Sequence, residues 1–387
     1  MENSDTRRLR MLLIAGIWVV TAITVASATQ GHRTVPVTRG RAGTDATTGA
    51  VGGLAQADST AGRIKIRLLL AGDTMLGRLV NETIAREGPQ YPVEPLVSLT
   101  QAADVFLVNL ECAISPKHIR FSGARKKFYF RADPLAAQVL AYAGVDVVSL
   151  ANNHALDADY EGLLDTVQIL DTMGIAHAGA GANAERAAEP AIVEVRGQRI
   201  GLLSYCDHQK DFAATKKRPG ISHIDVGDAD TLERLAREVR SLAAGVDHVV
   251  VALHWQPNWA PRVGKRYRSL AGRLAEAGAR IIWGHSPHHF QGVEWIDNTV
   301  VIYSSGDFVD DYATHAEFRN DRQLLFEISL TDSAQTVRAY PIELELARTK
   351  PAGDREAQWI QTRFVAMCEN VGSRVERRGK WLYVYRP

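Results

Sequence analysis

The chain has 387 residues, a formal net charge of +1 and an apolar fraction of 46%, enough for a substantial core in one large domain or two. Near-neutral charge points to no particular partner, and with no basic stripe interleaved with aromatics the nucleic-acid-binding class is set aside. Cys112, Cys206 and Cys368 are too few and too scattered for a disulfide framework or a zinc knuckle. They read most simply as buried small apolar residues, with one pair able to bridge in an oxidising compartment.

Residues 1–10 carry Arg7, Arg8 and Arg10 and precede an uncharged apolar run, 11–28. Such a run is an export signal or a membrane anchor. Ala26-Ser27-Ala28 offers a small-x-small cleavage site, whereas about 18 residues at a rise of roughly 1.5 Å nearly cross a hydrocarbon core of about 30 Å. In both cases the basic flank stays cytoplasmic and the rest passes outside. The expectation is an extracytoplasmic protein, membrane-anchored through this segment or secreted after cleavage near Ala28. Residues 29–62, rich in Gly, Thr, Ala and Arg without hydrophobic period, read as a flexible linker with no fold of its own.

The folded part is expected over residues 63–345, with 346–387 as a cap on the same domain. Ile64 to Ala71, Val105 to Leu110, Val145 to Ala151, Ile200 to Ser204, His248 to Leu253, Arg280 to Trp283 and Val300 to Ser304 read as short buried strands. Between them, Pro134 to Ala143, Tyr160 to Met173, Ala229 to Ala243 and Gly264 to Ala277 carry helical patterns. Alternation of this kind implies parallel βαβ units, while Val193 to Ile200 alternates around a Gly turn and predicts a hairpin. The fold class is therefore mixed α/β. The cap reads as one helix, Glu356 to Asn370, and one aromatic strand, Trp381 to Tyr385.

Several strands end in chemistry. The first runs out into Gly72-Asp73-Thr74-Met75, the next into Asn109-Leu110-Glu111, and the third into Asn152-Asn153-His154 with Asp157 soon after. Leu253 leads into His254-Trp255, Trp283 into Gly284-His285-Ser286-Pro287-His288-His289, and Ser305-Gly306 into Asp307, Asp310 and Asp311. Taken singly, an Asp after Gly is a turn or cap and Asn-Asn is ordinary turn chemistry. Jointly, five of the twelve histidines fall in these few exits, and ligands collect at the carboxyl ends of parallel strands. Carboxylate with imidazole suits Mn, Fe or Zn, so one or two divalent metal ions are expected, identity open.

These motifs, together with Gly77-Arg78, Phe128-Tyr129-Phe130-Arg131-Ala132, Gly174-Ile175, Gly179-Ala180-Gly181 and Tyr303 to Phe308, resemble the CapA family of bacterial poly-γ-glutamate capsule synthesis. The likeness runs in order from about Ile64 to about Leu330, and the family's domain is similar to the calcineurin-like metallophosphatases. The resemblance implies a four-layer αββα sandwich with a dinuclear metal centre between two sheet edges. Carried over by position, Asp73 would bind one metal and Asn153, His254 and His285 the other. Glu111 falls at the bridging position, His154 at that of the leaving-group acid, and His288 at that of the last His. Arg78 and Arg131 become candidates to hold an anionic substrate, with Asn109 and Asp307 as supporting residues. Asp307 could be a ligand, a partner orienting a ligating His, or a turn residue.

Two departures matter. Met75 stands where a ligating His is expected, and a thioether is a poor ligand for Mn or Zn; Glu111 replaces the shorter Asp. The sequence thus predicts one firmly held ion and one under-furnished position. The functional expectation is a metal-dependent hydrolase of an anionic polymer, or of a phosphoester or amide substrate. The alternative is a non-catalytic envelope component that binds such a polymer or supports a membrane-bound capsule synthase.

Overall fold

The computed structural model describes residues 34–36, 66–331 and 335–386. The basic segment, the apolar run and most of the linker lie outside the described residues. Among the described residues no helix is long and apolar enough to cross a membrane.

Two sheets carry the fold. The ten-stranded sheet is parallel over Ile66–Thr74, Val105–Leu110, Val147–Ser149 and Ala176–Ala178. It continues on the other side of Ile66–Thr74 through antiparallel Arg322–Leu330, Gln335–Glu345, Trp381–Tyr385 and Arg374–Arg378. The seven-stranded sheet is parallel over Gln198–Cys206, His248–His254, Ile281–His285 and Thr299–Ile302, with hairpins at its flanks. In the first hairpin Arg196 and Gly197 both have positive φ, 52° and 74°, the two-residue turn whose twist matches its strands.

Strand alternation sorts side chains into layers. Leu68, Leu70, Val105 and Leu107 of one sheet share a core with Ile200, Leu202, Val250, Ile281 and Trp283 of the other. The intervening residues Leu69, Phe106 and Val108 face helices that include Arg78–Glu87, Ala137–Ala143 and Asp159–Met173. On the opposite side Val249, Val251 and Ile282 face Ala229–Ala243 and Lys265–Glu276. These three cores give four layers, helix, sheet, sheet and helix, as the resemblance implied. Each fully buried Leu, Ile or Val contributes about 1.5–3 kcal/mol.

The structure adds elements that the sequence pattern hid. Arg322–Leu330 is a nine-residue strand, buried throughout, yet Gln323, Glu327 and Ser329 interrupt its apolar run; Glu327 is accommodated by Arg338 at 2.7 Å on the neighbouring strand. Helix Arg78–Glu87 was also unexpected. The linker expectation needs a correction, because Thr34–Pro36 is an edge strand paired in parallel with Ala191–Val195. Beyond residue 345 the helix Asp354–Glu369 inserts Ile360, Phe364 and Cys368 into the core between the sheets. All three cysteines are free and buried.

One strained crossing positions the site. Leu70 pairs with Leu107 but Asp73 with Asn109, so Ile66–Thr74 holds one extra residue, a bulge at Ala71-Gly72 that re-aims Asp73. A Cβ on Gly72 would lie 1.8 Å from the Gly306 carbonyl oxygen. Gly72→Ala is expected to lower stability by about 3 kcal/mol in a denaturant melt. By contrast Gly272→Ala, in helix Lys265–Glu276 with no neighbour within 4 Å of the added methyl, should raise it by about 0.5–1 kcal/mol.

Candidate metal centre

Main-chain register builds the site before any side chain is considered. In the ten-stranded sheet Asp307 pairs with Asp73, Asp73 with Asn109, and Asn109 with Ser149. In the seven-stranded sheet Cys206 pairs with His254 and His254 with His285. The two rows face each other at the carboxyl ends of their parallel strands. Asp73 Oδ1 lies 3.9 Å from His254 Nδ1 and 3.8 Å from His285 Nδ1, and Ser286 N donates to Asp73 Oδ2 at 3.2 Å. The hydroxyls of Ser149 and Ser204 join the rows at 2.8 Å.

Two sets of donor atoms result, each within 4.8 Å of one another: Asp73, His254 and His285, and Asp73, Glu111, His288 and Asp307. Asp73 belongs to both groups and Glu111 to the second alone. Asp307 joins the donors directly, with His288 Nδ1 at 2.9 Å. Met75 turns into the core, where its sulfur accepts from Gly77 N at 3.1 Å. Where Met75 supplies no ligand, Glu111, His288 and Asp307 gather with Asp73 as a second group of donors that could hold an ion.

Whether these residues fit a metal can be judged from their unmet bonding. Glu111 Oε1, Asn153 Oδ1, His254 Nε2, His285 Nε2 and Asp307 Oδ2 are all buried without a hydrogen-bond partner, and such atoms cost free energy unless a ligand meets them. Burial, reinforced by Asp73, drives the Glu111 carboxyl well above the usual range. Burial likewise raises Asp307, with His288 opposing. Burial holds His285 down at about 3 and His254 well below its ordinary value, so both are the neutral imidazoles that ligate metals. His288 differs: burial opposes protonation, but Asp307 and Glu111 outweigh it and raise the imidazole well above its ordinary value. Buried carboxylates with neutral imidazoles fit a divalent transition metal.

The exit loop after Val147–Ser149 brings the remaining chemistry. Asn152 is more than turn chemistry: its amide donates to Asn109 Oδ1 at 3.2 Å and Leu110 O at 2.8 Å while its carbonyl oxygen accepts from His154 N at 3.0 Å. Asn109 in turn donates to Asp73 Oδ1 at 2.7 Å, so this pair of amides orients the shared carboxylate. The His154 ring stacks on Phe130 at 3.8 Å, and its Nδ1 meets Asp157 Oδ2 at 2.5 Å. Burial dominates the His154 imidazole and holds it at about 4 despite Asp157. Lys126, which no sequence signal singled out, reaches the Asn153 carbonyl, His154 Nδ1 at 3.1 Å and Asp157 Oδ1 at 2.5 Å. Tyr312 was missed too; its hydroxyl donates to Glu111 Oε2 at 3.4 Å and its ring meets His288 edge-on.

The two arginines part company. Arg78 lies 5.3 Å over the Phe130 ring and pairs with Asp311 at 3.1 Å, next to the stack that holds His154. Arg131 is engaged by Ser115 O and Asp133 Oδ1, both at 2.7 Å, and those partners lie outside the cluster. His289 is also outside, its ring nitrogens each 3.0 Å from the carbonyls of Phe290 and Ala260. Trp255 is core, whereas Trp259 stands against His288 at 5.7 Å.

Elemental analysis of the purified chain is expected to find divalent metal. Asp73→Ala should lose nearly all of it, and His285→Ala only the share held with His254; metal content unchanged by both substitutions would contradict this donor set.

Comparison with known proteins bears on the whole arrangement. The profile of the family described as "Bacterial capsule synthesis protein PGA_cap" matches residues 67–312. The chain is 30% identical over 359 residues to a probable polyglutamine synthesis accessory protein of Mycobacterium tuberculosis, covering 81% of this chain and 94% of that protein. It is 27% identical over 290 residues to the capsule biosynthesis protein CapA of Bacillus anthracis, covering 74% and 69%. Among solved structures, the 5'-nucleotidase of Candida albicans aligns with a TM-score of 0.38 and 10% identity, over 72% of this chain and 52% of that one. The family match takes in more than half of the chain and every residue of the donor cluster, and the chain belongs to the CapA family of bacterial capsule synthesis proteins.

Proposed function

We propose that the chain is a metal-dependent hydrolase of the cell envelope, cleaving an amide or phosphoester linkage in an anionic capsule polymer. The carrying observation is the set of buried, unpartnered donor atoms converging from both sheets beside His154. Relatives named for capsule and polyglutamine synthesis support an envelope polymer as the substrate. The basic residues 1–10 and the apolar run 11–28 support a location outside the cytoplasmic membrane, close to a membrane-bound synthase.

Asp73, His254 and His285 would hold one ion, and Asp73, Glu111, His288 and Asp307 a second, with Asn153 Oδ1 as a further donor. Such ions supply Lewis acidity to a carbonyl or phosphoryl oxygen. The protein's own part is proton transfer and placement. With Nδ1–H committed to Asp157, the bare Nε2 of the neutral His154 ring takes a proton from the attacking water and then passes it to the departing nitrogen or oxygen. Phe130 fixes the plane of the ring, and Lys126 fixes Asp157. Arg78, partly exposed beside Phe130, is the guanidinium that receives an anionic group of the substrate.

Turnover of poly-γ-glutamate and of phosphoesters, measured with and without chelator, tests the reading. His154→Ala is expected to lower kcat by about 10²–10⁴-fold, and chelation should abolish turnover until a divalent ion is returned. Polymer binding without any turnover would sink the hydrolase and leave the non-catalytic, synthase-supporting component. Arg131→Ala, by contrast, should cost about 1 kcal/mol of stability in a thermal melt and leave KM unchanged.

A further inference from the structure

Basic and acidic residues nearly cancel across the chain, 45 against 44, but not beside the candidate centre. Residues 116–128 carry Lys117, Arg120, Arg125, Lys126 and Lys127 with no Asp or Glu, and residues 212–218 carry Lys216, Lys217 and Arg218 with none. The two loops, distant in sequence, are locked together. Phe121 meets Phe212 edge-on at 4.6 Å, and Ala124 N donates to Asp211 Oδ2 at 3.3 Å. Lys126 is where both loops reach the centre: it lies 5.0 Å from the Phe212 ring and contacts Asn153, His154 and Asp157.

The acids that face these loops are already used. Glu161 and Asp165 pair with Lys117, Asp157 with Lys126, and Asp211 accepts from Ala124 and Gln209. The other six cations, Arg120, Arg125, Lys127, Lys216, Lys217 and Arg218, are exposed and form no ion pair among the described residues. Three lie along rings, Arg120 on Tyr129, Lys127 on Phe128 and Arg218 on Tyr160. One basic loop alone is an ordinary solvated face. Two such loops fixed against each other concentrate like charge at the edge of a buried centre, which an anion relieves.

We propose that these loops form a basic collar that binds an extended polycarboxylate chain and leads it to the centre, an inference that rests on reading the centre as acting on an anionic polymer. A flat membrane surface could not follow the collar inward to Lys126 and the buried His154. Single-stranded nucleic acid binds through successive stacking platforms, and the collar exposes one large aromatic, Phe128.

Titration of poly-γ-glutamate into the full chain across a salt series tests the collar. The pairs Lys216→Glu with Lys217→Glu, and Arg125→Glu with Lys127→Glu, are each expected to weaken binding about tenfold or more. Each should also flatten the slope of log affinity against log salt by about two. Gln at the same positions removes the same contacts and should flatten the slope by about two as well, with a smaller loss of affinity, and unchanged thermal melts separate lost binding from lost folding. The charge-matched pair Arg377→Glu with Arg378→Glu, on an exposed remote strand, should leave affinity unchanged. Wild-type protein that binds no polymer, or collar variants that bind as well as wild type, overturn the proposal. Equal affinity for single-stranded DNA of matched charge, or for phosphatidylglycerol vesicles, overturns the polycarboxylate assignment. Collar-dependent binding without cleavage supports the collar and defeats only the hydrolase reading.

Discussion

Four carboxylates, those of Asp73, Glu111, Asp307 and Asp310, are buried along one seam between the sheets, and most of the remaining architecture answers that constraint. Each buried, unmatched charge costs several kcal/mol. The protein offsets part of this locally, with the Asn109 amide and Ser286 N on Asp73 and the His288 ring on Asp307. The remainder is left open: burial and the neighbouring Asp307 push the Asp310 carboxyl well above its ordinary range. Such a cluster could hold cations, whereas apolar residues of similar volume would serve stability better.

The scaffold supplies rigidity at that seam through backbone rather than side chains. His254 and His285 stand side by side because their strands pair in parallel at that register. Asp73 and Asp307 meet because Gly72 and Gly306 let two backbones approach. The C-terminal helix packs Phe364 against Phe290 and Phe326, so residues beyond 345 close the core behind the seam. The residues proposed to meet the substrate sit elsewhere, Arg78 at the start of its helix and Lys126 on a loop.

What could be read from the sequence follows from this division. Strands such as Val105–Leu110 and His248–His254 are continuous apolar runs and announce themselves, and the donors at their exits were named at once. Arg322–Leu330 escaped because its charged residues are matched by residues elsewhere in the chain, Glu327 by Arg338 of the partner strand and Arg322 by Glu356 of the C-terminal helix. Asp73, Glu111 and Asp307 were all named from the sequence, but motif order carries no distances and so could not say how these carboxylates group. Only the pairing of two segments far apart in the chain shows which carboxylate is shared. Lys126 carries no signal in the sequence, and its burial against Asp157 is a tertiary fact.

Asp73 comes from one sheet, and His254 and His285 from the other. An ion held by all three therefore fastens the two halves of the sandwich, and its binding free energy adds to that of folding, since the separated sheets have no site to offer. The supply of metal would then govern how long the chain lasts. Removing such an ion would loosen the seam before the rest of the fold, and resistance to proteolysis would fall with it.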